Sequence, residues 1–371
     1  MEKRPQVLIA PAKYVQGAGV LDEIGEYVAL LGDKVLVAGG ARGLGETSAG
    51  REHSFGKNGI SQAEFAFGGE ASDREIERLA SACVSGKYEV IMASGGGKVI
   101  DAVKSAAEDT GTASVIVPTI ASNDAPCSAL SVIYNEDGTF NRLRPLKRNP
   151  DLVLVDTSII ARAPARFLVS GMGDALATWF EADACRKSGA VNGLTNGSIT
   201  ATAITLARLS FDTLIEFGLE AKKACENKTV NMALERVVEA NTLLSGIGFE
   251  SGGVAAAHAL SEGFSLVPEM HSFMHGEMVA FGLLAQLLLG GSEGDETQSI
   301  FRFCHSVGLP VTLADLNADK VERSALLRAA EFAASPGRPS GNMPFKVTAE
   351  MLLDAIFAAD AIGCTLKANN A

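Results

Sequence analysis

The sequence predicts an α/β domain with a mostly parallel sheet over residues 1–160, followed by an all-helical domain over residues 161–371. Three observations lead there. Short β-branched runs alternate with helical patterns through the first part, the arrangement expected of parallel strands joined by covering helices. Val35-Leu36-Val37 and Val115-Ile116-Val117 are unbroken apolar runs, as strands buried on both faces require. After Asp156 the strand signal fades and helical periodicity dominates.

In chain order, residues 7–10, 34–38, 63–67, 89–93, 114–118 and 152–155 read as strands, with helical stretches near 21–31, 73–85 and 99–108. Gly39 to Gly45 follows the second predicted strand, and its glycines read as a tight turn. Beyond a boundary near 157–165, helical patterns cover 171–187, 197–217, 229–246, 252–264, 276–289, 295–307 and 349–361. Residues 336–344, rich in Gly, Pro and Ser, read as a loop.

A chain of 371 residues exceeds one hydrophobic core and suits two domains. Its formal net charge of −12 argues against nucleic acid as the main partner. Six cysteines occur without a C-x-x-C pair, which points to free thiols in a reducing compartment. The apolar run 278–289 is broken by Gly282 and Gln286 and falls short of the ~20 residues a membrane span needs. A cytoplasmic protein without a membrane partner is expected.

Ile91-Met92-Ala93 runs into Ser94-Gly95-Gly96-Gly97-Lys98 and then a helical pattern. A strand, a glycine turn and a helix start let a phosphate approach the main chain and meet free N–H groups. Lys98 would add a positive charge. A plain tight turn between strand and helix is the competing reading. The spacing is neither G-x-G-x-x-G nor a P-loop.

Five histidines are present: His53, His258, His271, His275 and His305. His258 lies in an apolar helical stretch, His275 precedes a helix start, and Asp174 sits among Ala and Gly. A carboxylate on a core-facing helix is costly unless paired or bound to a cation. Two imidazoles and one carboxylate leave an open position on a zinc ion. Alternatively, His258 is a satisfied core histidine and Asp174 a helix cap. His271 competes as a ligand, because its spacing from His275 suits one helical face.

Several stretches together resemble the glycerol dehydrogenases, a zinc-using branch of the iron-containing alcohol dehydrogenase superfamily. They are 11–17, 94–98, 118–134, 149–156, 174–179, 239–246, 248–253, 275–282 and 355–360, so the likeness spans nearly the whole chain. The resemblance implies a Rossmann-like first domain in a dehydroquinate synthase-like architecture. It implies zinc ligands at Asp174, His258 and His275, and a pyrophosphate loop at Gly96, Gly97 and Lys98. Thr119, Ser128, Leu130 and Tyr134 match positions that contact NAD, and Gly39 falls where the adenosine ribose is bound. Asp124 matches a residue that binds substrate hydroxyls, since a carboxylate accepts two hydrogen bonds from a vicinal diol. Without the resemblance, Asp124 also reads as an Asx-turn cap.

The implied reaction is oxidation of glycerol to dihydroxyacetone, with related vicinal diols as further substrates. Hydride passes from a zinc-bound secondary alkoxide to the nicotinamide. Asp124 and His258 would contact substrate, with His271 or a water chain as proton acceptor. The family forms rings, so a homo-octamer or other homo-oligomer is expected. Cousins acting on phosphorylated glycerol, or lyases resembling dehydroquinate synthase, would need basic clusters, which the metal-flanking segments lack.

Two departures from the family patterns bear on chemistry. The iron-using branch carries Asp-x-x-x-His, whereas the residue four after Asp174 is Thr178; this favours three protein ligands and zinc. The family has an acidic residue after the second predicted strand, whereas this chain has Gly39-Gly40 with Arg42 nearby. Loss of that acid removes a repulsive charge against a 2′-phosphate, so NADP is expected to be accepted beside NAD.

Overall fold

The computed structural model describes residues 4–289, 291 and 294–370. They form two compact units, neither continuous in sequence: one holds Ile9–Leu168 and Lys223–Gly246, the other the residues up to Leu8, Val169–Lys222 and those from Ile247 onward. Residues 161–168 and 223–246, which the sequence pattern groups with the helical part, thus pack with the sheet.

In the first unit, six parallel strands stand in the order β3-β2-β4-β5-β8-β1. They are β1 (Tyr14–Gly17), β2 (Lys34–Gly39), β3 (Ser61–Ala66), β4 (Val90–Gly95), β5 (Ala113–Pro118) and β8 (Leu152–Asp156). Alternate residues Val35, Val37, Val90, Met92, Val115, Val117, Leu152 and Leu154 pack on one face with Ile24, Val28, Phe55 and Ile159. The intervening Leu36, Ile91, Ile116 and Val153 are equally buried. Both faces are therefore covered, which is why these strands read as continuous apolar runs. Each such side chain contributes roughly 1.5–3 kcal/mol on burial.

From β2 the chain passes outward to β3, then returns to place β4 on the other side of β2. The strand order reverses there, and the crevice outside such a reversal is where an open α/β sheet binds ligands. Gly39 ends β2 and Gly95 ends β4.

Four expectations change. Residues 7–10 form no strand; Gln6 makes only an isolated bridge to Ser198, and the first strand is Tyr14–Gly17, beyond Pro11. Proline lacks the N–H a ladder needs. Residues 21–31 hold a 3-10 turn, Val20–Glu23, and a short helix, Ile24–Val28. The Gly39–Gly45 stretch is not a plain turn: it leads into the helix Ala41–Lys57. A Cβ at Gly43 would lie 2.3 Å from the Ser94 carbonyl oxygen, so glycine is retained for close approach despite its poor helix propensity. The antiparallel hairpin of β6 (Leu130–Tyr134) and β7 (Phe140–Pro145) was not anticipated; β7 is mostly exposed and its apolar Phe140 and Leu143 stand three apart, so no apolar alternation marks it.

Among the described residues, the second unit contains no strand. Its site-forming helices are Ala165–Ser188 (from residue 169), Ala256–Phe264 and His275–Leu289. The first and third meet through glycine. A Cβ at Gly173 would lie 2.2 Å from Gly276 O, and one at Gly276 would lie 1.9 Å from Ser170 O. That backbone approach sets Asp174 beside His275.

Candidate metal centre and nucleotide loop

Asp174 is fully buried on the helix Ala165–Ser188. Its Oδ1 lies 3.4 Å from His258 Nε2 and 3.4 Å from His275 Nε2. The three ligand atoms all fall within 4.8 Å of one another. Ligand atoms about 2.0–2.1 Å from a tetrahedral zinc ion stand roughly 3.3 Å apart, so the two 3.4 Å separations from Asp174 suit such an ion. Nitrogen and carboxylate oxygen donors suit zinc equally well.

Around this trio the electrostatics favour a positive charge. Burial alone would raise the Asp174 pKa, but the neighbouring His275 and His258 outweigh it and hold the carboxyl below the usual range. Burial opposes protonation of His258, yet Glu181 and Asp174 push its pKa well above the ordinary value. Glu181 Oε2 lies 2.5 Å from His258 Nδ1. A proton fills this role when no cation does; a dication would displace it.

The structure brings Asp174, His258 and His275 together and leaves His271 apart. The helix begins at His275, while His271 follows the 3-10 turn Pro268–Met270, so the two do not share a helical face. His271 is exposed, with Nε2 2.8 Å from Ser265 O. Glu181 escaped the sequence reading. Its signal was available: it follows Asp174 by two turns, in phase on an apolar helix.

In the α/β unit, the helix Gly97–Thr110 starts directly after β4, with Gly96 as N-cap and no acidic residue in its first turn. Its first N–H groups lack intrahelical partners and suit an anion. The Thr119 N–H donates to Gly95 O at 3.0 Å, tying the end of β5 to this loop. Lys98 does not stand free: Nζ donates to Glu70 Oε1 at 2.5 Å and lies 5.4 Å from the Tyr134 ring centre. Burial raises the Tyr134 phenol to about 12, so it remains neutral.

Ser128 and Leu130 are held from below. The buried Lys104 donates to Ser128 Oγ at 3.3 Å, to Ala125 O at 2.9 Å and to Leu130 O. Its ammonium pairs with Asp101 at 3.0 Å. Asp124 is buried and accepts a 2.7 Å hydrogen bond from Ser245. Neither Lys104 nor Ser245 was singled out in the sequence, because each acts across a long chain separation.

A family model for iron-containing alcohol dehydrogenases matches residues 11–157. A glycerol dehydrogenase of Pseudomonas putida is 47% identical over 354 residues, covering 95% of this chain and 97% of that one. A glycolaldehyde reductase of Halobacterium salinarum is 42% identical over 357 residues, covering 96% and 98%. The crystal structure of glycerol dehydrogenase from Schizosaccharomyces pombe superposes with a TM-score of 0.94 at 35% identity, covering 100% of this chain and 94% of that one.

Proposed function

Because this chain belongs to the glycerol dehydrogenases of the iron-containing alcohol dehydrogenase family, we propose that it oxidises glycerol to dihydroxyacetone with NAD and a zinc ion held by Asp174, His258 and His275. The observation that carries this reading is the convergence of one carboxylate and two imidazoles within 4.8 Å. When bound, zinc supplies the Lewis acidity that makes a secondary hydroxyl acidic near neutral pH, and NAD supplies the hydride acceptor.

The chain's own residues bind, orient and balance charge. Asp174 contributes a buried negative charge, and Glu181 holds the His258 ring. Asp124, which accepts a hydrogen bond from Ser245, is the carboxylate that the family resemblance assigns to substrate hydroxyls. The N-terminus of the helix Gly97–Thr110 takes the pyrophosphate, while Lys98 stays balanced by Glu70. The acidic side chains near the ligands include Glu181, Glu262 and Glu277, and Arg338 is already bound to Glu262 at 3.0 Å. This charge pattern favours a neutral polyol over a phosphorylated one. The relative that acts on glycolaldehyde supports small vicinal diols and α-hydroxy aldehydes as the substrate class.

At the end of β2, Gly39 offers no carboxylate to the adenosine ribose and Arg42 is exposed nearby. NADP is therefore accepted beside NAD, and a titration with NADP inert at millimolar level refutes this. Elemental analysis and reduced-cofactor production from glycerol test the main reading. Protein loaded with zinc that reduces no cofactor with glycerol or another vicinal diol overturns it.

A further inference from the structure

We propose that Glu181 is a positioning residue of the metal centre: its carboxylate locks His258 in the tautomer that turns an unprotonated Nε2 toward the cation. This rests on the metal-centre reading above and adds a residue outside the donor set. Glu181 is fully buried. Its Oε2 faces His258 Nδ1 at 2.5 Å, while Oε1 accepts the N–H groups of Ala255 at 2.8 Å and His258 at 2.9 Å. One carboxylate thus grips His258 by ring and by backbone.

The backbone half of that grip has a local cause. The helix Ala256–Phe264 begins after Ala255, whose side chain offers no cap. The first N–H groups of a helix need acceptors, and Glu181 supplies one from a different helix. Oε1 is occupied by the two backbone N–H groups, so Oε2 is the oxygen left to accept from Nδ1. The proton must then sit on His258 Nδ1, leaving the Nε2 lone pair directed at Asp174 and the cation.

His275 is held differently. Its Nδ1 lies 3.4 Å from Ser261 Oγ, a longer contact to a hydroxyl that donates or accepts. His258 is therefore the fixed ligand and His275 the adjustable one.

Glu181→Gln tests the role. It keeps the shape and one oxygen for the two backbone N–H groups, but presents an amide N–H to Nδ1 and so favours the opposite tautomer. Chelator-stripped wild type, Glu181→Gln, His258→Ala and the double variant would be titrated with zinc against a chromophoric chelator, with thermal unfolding of each stripped protein alongside. Stripped Glu181→Gln should melt close to wild type yet bind zinc about 10–100-fold more weakly. In the His258→Ala background the same change should cost nothing further, because Glu181 acts through that ring. Ser261→Ala should leave zinc affinity nearly unchanged.

Equal zinc affinity in wild type and Glu181→Gln overturns the proposal. So does a full additional loss in the double variant, which would assign Glu181 a purely electrostatic part. If Glu181→Gln melts far below wild type, Ser261→Ala decides: a zinc loss there as large as in Glu181→Gln overturns the unequal holding of the two rings. Stripped wild type that takes up no zinc overturns the metal-centre reading itself, and differs from the other outcomes in that His258→Ala then changes nothing.

Discussion

Gly276→Ala is the most exacting perturbation of the site that leaves every proposed ligand in place. The new methyl would lie 1.9 Å from Ser170 O and 3.0 Å from Ser170 Oγ. Ordinary contact begins at 3.4 Å, so the overlap with the carbonyl is about 1.5 Å. Backbone stands on both sides, and no rotamer change relieves it. The start of the helix His275–Leu289 must therefore retreat from the helix Ala165–Ser188. A retreat of that size would stretch the 3.4 Å separation of His275 Nε2 and Asp174 Oδ1 to nearly 5 Å, beyond what one zinc ion spans. Overpacking of this kind costs about 1–3 kcal/mol or more, which lowers Tm by several degrees in a protein of this size. The assay is differential scanning calorimetry with zinc content measured on the same sample. Gly276→Ala protein that holds stoichiometric zinc and melts with wild type would refute the claim that this glycine contact builds the centre. Gly173→Ala, with its methyl 2.2 Å from Gly276 O, should behave alike.

Three further outcomes are expected. His258→Ala should abolish glycerol turnover while far-UV circular dichroism stays native; unchanged turnover removes His258 from the metal shell. Lys98→Ala should raise the KM for NAD by less than about tenfold, because Glu70 already offsets the charge and exposed pairs contribute little; a hundredfold rise would show the ammonium bearing directly on the pyrophosphate. Burial would raise the Asp315 pKa, but Lys367 at 2.6 Å, the Val311 N–H and the Thr312 side chain hold it below the ordinary value. A depressed carboxyl stabilises the fold above its unfolded pKa near 4 and loses that contribution as pH falls through the lower folded value. Asp315→Ala should thus melt below wild type at pH 7, and the gap should narrow below about pH 4; a constant gap across that range contradicts the coupling.

The central strands were readable because burial on both faces leaves a direct mark, an unbroken run such as Val115-Ile116-Val117. The edge was less readable. Tyr14–Gly17 lacks such a run, β7 is exposed and does not alternate, and the helix Ala41–Lys57 carries glycines that a propensity argument assigns to a turn. In each case a tertiary partner outweighs the local preference: β8 for the first, β6 for the second and the Ser94 carbonyl for the third.

Within the candidate site, residue types pointed to Asp174, His258 and His275 with His271 as a rival, because a carboxylate or imidazole in apolar surroundings demands a partner wherever it folds, and the family resemblance chose among them. The chain by itself also determined the strand–glycine–helix loop at Gly95–Gly97, whose chemistry lies within a few consecutive residues. Folding alone settled which side chains stand next to one another. It set His271 aside by starting a helix at His275, bound Lys98 to Glu70, and carried Glu181 to a histidine 77 residues further on. Local periodicity records the energetics of neighbours within a turn or two. The approach of two backbones at Gly173 and Gly276 depends on how whole helices pack, and a glycine leaves no side chain in the sequence to announce it.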